Sequence, residues 1–174
     1  ARVSGFQRRL RLLFLAVLVG GFLLDIWTKS WAFELVPDIH FSPKVVVIEG
    51  WLNIVHVENP GAMWSLFQNL PPEFWVAVRS TVFVILALFY LLKVRAAWWV
   101  HVAFGLVLAG ACGNVYDNLF SPGGRVRDWI QVILPGGQPF PTFNVADSMI
   151  TVGAGLLLVY FYRADREARN RVKE

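Results

Sequence analysis

Four long apolar stretches alternate with polar connections along the 174-residue chain. They run from about Leu12 to Phe33, Phe74 to Leu92, Ala97 to Tyr116 and Phe143 to Tyr162. Each is near the ~20 residues that a helix needs to cross a ~30 Å hydrocarbon core. Each also carries its polar residues at one end. Asp25 and Lys29 lie in the later half of the first, Arg79 near the start of the second, Asn114 and Asp117 at the end of the third, and Asn144, Asp147 and Ser148 at the start of the fourth. Threading the chain back and forth through a bilayer brings these ends into one shared layer. Ionisable groups in an apolar span are costly unless they are paired or face a cavity, so their concentration in one layer predicts a site there.

The connections carry their own signals. In the outer segment, about residues 36–72, Val45 to Val57 is rich in Val and Ile and is broken by Glu49-Gly50, which predicts a short hairpin against the outer membrane face. After Gly61, the residues Met63, Leu66, Phe67 and Leu70 fall at helical spacing before Pro71-Pro72, which predicts a short interfacial helix. In the outer loop, residues 121–142, Pro122-Gly123-Gly124 and Pro135-Gly136-Gly137 bracket a strand-like run from Val126 to Leu134 that contains Asp128. The tail from Arg163 reads as a charged, frayed helix. The expected architecture is an all-α membrane protein, a single domain over residues 1–174 with four transmembrane helices, a small extracytoplasmic β element and a short interfacial helix.

Composition agrees with that pattern. The chain is 56% hydrophobic and 16% charged, too apolar for an ordinary soluble domain. Arg2, Arg8, Arg9 and Arg11 precede the first span, Lys93 and Arg95 join the second to the third, and five more Lys and Arg lie between Arg163 and Lys173. By the positive-inside rule both termini are cytoplasmic. The pI near 9.6 therefore reports topology, and no nucleic-acid partner is expected. The first span runs on through Trp27 and Trp31 without a small-residue cleavage site, so it reads as an uncleaved span. The single Cys112 offers no disulfide and no metal spacing, and reads as a packing residue.

Within the polar layer, Gly110, Gly113, Asn114 and Asp117 share one helical face, as do Asn144, Asp147 and Ser148 in the first turn of the fourth span. Asp128 lies on the loop joining those two spans and can fold back to meet Asp147, with Asp117 a third carboxylate nearby. Two carboxylates at hydrogen-bonding distance in a low-dielectric pocket do not both ionise readily, so one keeps a proton while the other serves as base. That is the equipment of aspartyl proteolysis. His40, His56 and His101 are scattered, so the spacing supports no Ser/His or metal arrangement, and no metal or cofactor is expected. On spacing alone a structural reading stays open, in which Asp117, Asp128 and Asp147 cap helices or pair with Arg125, Arg127 and Arg79. A channel or transporter component lined by the same polar layer, or an inert scaffold, also stays open. Against the channel stands the apolar cytoplasmic half of the spans, with His101 the main exception.

The runs D-I-W-T-K (Asp25 to Lys29), E-N-P-G-A (Glu58 to Ala62), G-N-V-Y-D (Gly113 to Asp117), V-R-D-W-I (Val126 to Ile130) and F-N-V-A-D-S (Phe143 to Ser148) resemble, in order and spacing, the signature blocks of the lipoprotein signal peptidase (signal peptidase II) family. The resemblance covers nearly the whole chain. It implies a membrane aspartyl endopeptidase that removes signal peptides from prolipoproteins just before the diacylglyceryl-modified cysteine. Asp128 and Asp147 would be the catalytic pair. Asn59 and Gly61 would line the substrate site, Asn114, Asp117, Asn144 and Ala146 would shape the pocket, and Asp25 and Lys29 would form a supporting ion pair. The hairpin and interfacial helix would be an extracytoplasmic β cradle and lid. Expected partners are diacylglyceryl-modified prolipoproteins, membrane lipids and globomycin-like inhibitors, with the enzyme a monomer in the bacterial inner membrane and its active site near the outer leaflet.

The chain also departs from the family pattern. Asn118 stands where the family usually has Arg, so any ion pair made by that Arg is either missing here or supplied elsewhere, with Arg125 and Arg127 the candidate cations. Glu58 and Pro60 replace the more usual Tyr and Thr of the outer motif, and Ile26-Trp27-Thr28 replaces the usual Gln-x-Ser between Asp25 and Lys29.

Overall fold

The computed structural model describes residues 5–36, 44–60, 71–94 and 97–171. The predicted interfacial helix and Gly61 lie outside these residues. The elements run α1 (Gly5–Leu35), β1 (Lys44–Ile48), β2 (Leu52–Asn59), α2 (Pro72–Lys93), α3 (Trp98–Phe120), β3 (Val126–Val132) and α4 (Val145–Arg171).

All four helices are long and apolar enough to cross a membrane. At ~1.5 Å rise per residue, the 22 residues of α2 span about the thickness of a hydrocarbon core. Pro71 and Pro72 lead into α2, where the fixed φ of proline suits a first turn and its missing N–H costs no helical bond. The helices extend beyond the apolar runs that predict them. α3 continues to Phe120, closing where Ser121 N donates to Asp117 O at 2.9 Å, and the basic tail continues α4 as helix through Arg171 rather than fraying at Arg163.

α3 is the central helix and packs against α1, α2 and α4. Close approach depends on its glycines. A Cβ at Gly110 would collide with the Ala146 carbonyl of α4, and one at Gly113 with the Asp25 carboxylate of α1. Phe14, Tyr90, Val100, Phe104, Leu108 and Leu157 form a core in the half of the bundle away from the polar layer, where Tyr90 and the buried His101 share a 2.8 Å hydrogen bond. Leucines and valines on the outward faces of α1, α2 and α4 remain exposed, as lipid-facing surfaces do.

The expected hairpin is present and gains a third strand. β1 pairs antiparallel with β2, and β2 with β3, so that the strand carrying Asp128 joins the hairpin as one sheet. The sheet is fastened to the C-terminal end of α1 by Ala32, Val36 and Ile54 with Trp129, and by His56 Nδ1, which donates to Val36 O at 2.8 Å. An isolated bridge between Ile130 and Phe143 then lays the chain entering α4 against β3. Asp128 is thereby brought beside the first turn of α4.

Candidate active site

Asn144 immediately precedes α4, and its side chain works in two directions. Its Oδ1 accepts from Asp147 N at 2.9 Å while Asp147 Oδ2 accepts from Asn144 N at 3.2 Å, a reciprocal capping box at the helix start. Its Nδ2 donates to Asp128 Oδ1 at 2.7 Å. One amide therefore touches both aspartates. Asp147 Oδ1 accepts a further bond from Asn114 Nδ2 at 2.8 Å, and Asp128 Oδ2 accepts one from Asn59 Nδ2 at 2.9 Å. Asn59 reaches Asp128 diagonally across the β2–β3 ladder, since Asn59 faces Val126 and Asp128 faces Val57.

The two carboxyls differ in environment. Asp128 is 1% exposed on a strand, whereas Asp147 is half-buried in the first turn of a helix, where the macrodipole favours a negative charge. Burial pushes the Asp128 carboxyl up to about 7; the Asn59 hydrogen bond opposes this and the nearby charge of Asp147 adds to it.

Behind the pair lies a buried ionic support. Lys29 Nζ directs its three protons to Asp25 Oδ2 at 2.7 Å, Asp117 Oδ2 at 3.0 Å and Asn114 Oδ1 at 3.0 Å. The last of these fixes the Asn114 amide so that its N–H group faces Asp147. Asp25 Oδ1 in turn accepts from Ala146 N at 2.8 Å, so α1 caps α4. Asp117 is saturated. Besides Lys29 it accepts from Arg127 N at 3.0 Å, Arg127 Nε at 3.0 Å and Arg127 Nη2 at 2.7 Å. With its oxygens so engaged, Asp117 serves as an anchor for β3 rather than as a third reactive carboxylate.

Of the two loop arginines expected to supply a cation on account of Asn118, Arg127 is the one that pairs with Asp117. Arg125 instead faces Glu58 at 3.7 Å on the surface. Asn118 has its own partners: it accepts a hydrogen bond from Arg79 Nη1 of α2 and donates to Gly124 O at 2.6 Å. Arg79 and Asn114 close the polar end of an otherwise apolar groove of about 170 Å³ walled by α2, α3 and α4 and lined by Val78, Val82, Leu86, Val107, Ala111 and Ile150.

The structure thus gathers Asp25, Lys29, Asn59, Asn114, Asp117, Asp128, Asn144, Ala146 and Asp147 into one layer at one end of the helix bundle. The Arg79–Asn118 contact and the capping of α4 by Asp25 are not legible in spacing, because both join segments far apart in sequence.

This arrangement has relatives. Residues 16–163 match the family model described as signal peptidase (SPase) II. A lipoprotein signal peptidase of Enterococcus faecalis is 35% identical over 156 residues, covering 88% of each chain, and one of Aquifex aeolicus is 31% identical over 173 residues, covering 98% of each. A bacterial membrane enzyme solved by the in meso method superposes with a TM-score of 0.74 at 27% identity, covering 86% of this chain and 87% of the other. Likeness running along nearly the full length, in sequence and in fold, makes this multi-pass membrane protein a peptidase of the signal peptidase II family.

Proposed function

We propose that the protein is an aspartyl endopeptidase of the bacterial inner membrane that cleaves the signal peptide of diacylglyceryl-modified prolipoproteins just before the lipidated cysteine. The observation that carries the aspartyl reading is the single Asn144 amide bonded to both Asp128 and Asp147 in the polar layer. Asp25, Asp117, Asp128 and Asp147 face Lys29, Arg79 and Arg127, so the cluster is neutral when one carboxyl keeps a proton. Asp128 holds it, being the more buried and away from any helix terminus. Asp147 is the anion.

The ionised Asp147 takes a proton from water as the water oxygen attacks the scissile carbonyl carbon, and Asp128 gives its proton to the carbonyl oxygen. In the collapse of the tetrahedral diol, Asp147 passes its proton to the leaving nitrogen, Asp128 recovers one from a hydroxyl, and the C–N bond breaks. Asn114 and Asn144 keep both carboxyls oriented without exchanging protons. The apolar groove ending at Asn114 suits the apolar segment of a signal peptide lying in the membrane. With both termini cytoplasmic, this layer lies at the outer leaflet, where such a substrate presents its lipidated cysteine. A channel is disfavoured, since the polar cluster stops at one end and His101 at the other is bonded to Tyr90.

The test is turnover by purified protein of a prolipoprotein peptide with and without the diacylglyceryl group. The lipidated peptide should yield a product beginning at the modified cysteine and should be protected by a globomycin-like lipopeptide. Cleavage at another bond, or none, would reject the assignment.

A further inference from the structure

α2 is attached to the bundle through α3 and the turn at residues 122–124. At its cytoplasmic end Tyr90 bonds His101, and at its outer end Arg79 bonds Asn118. An arginine within an apolar span is expensive, and packing alone does not require one. Its guanidinium lies 5.9 Å over the Trp75 ring and within the field of Asp147, Asp128 and Asp117. Asn118, buried to 6% exposure, passes the contact on: with Oδ1 facing Arg79, its Nδ2 donates to Gly124 O at 2.6 Å. Gly124 closes the turn after α3, with φ +64°, two residues before β3 begins and four before Asp128.

We propose that Arg79 is a positioning residue for Asp128, acting through the Asn118 amide and the Gly124 carbonyl that this amide holds. The proposal rests on the reading of Asp128 as half of the reacting pair. Charge on Arg79 polarises the Asn118 amide, strengthening its donated bond, so the start of β3 is fixed from α2 as well as by Arg127 on Asp117. The helix that walls the groove is thereby tied to the strand bearing the acid.

The test uses full-length protein in detergent with a diacylglyceryl-modified peptide. Arg79→Ala should lower kcat at least about tenfold, equivalent to ~1.4 kcal/mol, with KM changed less than about twofold. Arg79→Lys should recover part of the loss. Asn118→Asp keeps an acceptor for Arg79 but has no N–H for Gly124, so its kcat should fall as well, and the double variant should lose little more than either single one. Hydrogen exchange, read without substrate, should quicken at residues 124–128 in Arg79→Ala and Asn118→Asp while residues 104–110 of α3 stay protected. Wild-type exchange at 124–128 in both variants, or fully additive kcat losses, would overturn the relay. Failure of the wild-type protein to cleave the peptide would reject the functional reading instead, and the exchange data would still decide whether Arg79 holds the strand.

Discussion

Asn144 and Asp147 cap one another at the start of α4, with Asn144 Oδ1 2.9 Å from Asp147 N and Asp147 Oδ2 3.2 Å from Asn144 N. A local helix-capping device therefore sets the position of a carboxylate that the proposed chemistry needs. The same Asn144 supplies a donor to Asp128, so its two tasks can be separated by substitution. Asn144→Ser keeps a good cap but loses the amide, and should retain thermal stability while kcat falls about tenfold or more. Asn144→Ala loses both and should be destabilised by about 1 kcal/mol as well. Wild-type kcat in the serine variant would show that the link to Asp128 is dispensable.

Replacing Asp128 or Asp147 by Asn preserves shape but leaves neither an acid nor a base. Either variant should insert and fold while losing most turnover, and the double variant should be no worse than the singles. Retention of more than about a tenth of wild-type cleavage by Asp147→Asn, a barrier change of only ~1.4 kcal/mol, would point to another base.

The pH dependence has a defined sign. Asp128 must be protonated to act as the acid, and burial raises its carboxyl to about 7, so kcat/KM should decline above about pH 7. Asn59 donates to the Asp128 carboxyl and favours its anion, so Asn59→Ala should move that decline to higher pH. Between about pH 4 and about pH 7 the folded protein keeps a proton on Asp128 that the unfolded chain has lost. Stability should therefore fall as pH rises through that window. Asp128→Asn should flatten the dependence in a melting series.

Topology can be read by cysteine labelling in a background where Cys112 is replaced by Ala. Val47, exposed on β1, should become accessible in intact cells to an impermeant reagent once changed to Cys, whereas Cys at Arg166, exposed on the C-terminal extension of α4, should react only after lysis. The reverse pattern would place the polar layer on the wrong side for an extracytoplasmic substrate.

The four spans, the hairpin and the strand at Asp128 are legible in sequence because apolar runs, Val- and Ile-rich stretches, and Pro-Gly turns are local signals. Asp25–Lys29 is legible for the same reason: an i, i+4 pair lies on one helix face, and the structure gives it at 2.7 Å. Lys29 also reaching Asn114 and Asp117, Asp25 capping α4, and Arg79 meeting Asn118 depend on how α1 and α2 are rotated against α3. Spacing within one helix does not specify that rotation. For Asp117 the structural alternative read from the sequence, pairing with Arg127, describes its surroundings.

Arg127 makes the sharpest comparison among the cations of the sheet. It holds Asp117 through Nε, Nη2 and its own backbone N–H, and its Nη1 donates to Ser30 Oγ at 3.2 Å, so it joins β3 to both α1 and α3 one residue before Asp128. Truncation would leave the buried Asp117 with Lys29 as its remaining cation and would loosen the strand. Arg127→Ala should therefore lose most activity and some stability, while Lys44→Ala, on the exposed edge strand, should be nearly silent in both. Asn118→Arg distinguishes two accounts of the family departure at that position. If Asn118 were a vacant place for a cation, the added arginine would offset the loss of Arg127; because Asn118 is buried between Arg79 and Gly124 O, a second guanidinium there would meet Arg79 and forfeit the bond to the turn. The expected result in a cleavage assay is that Asn118→Arg lowers activity alone and does not rescue Arg127→Ala, and a clear rescue would show that Arg79 and Asn118 leave room for the cation after all.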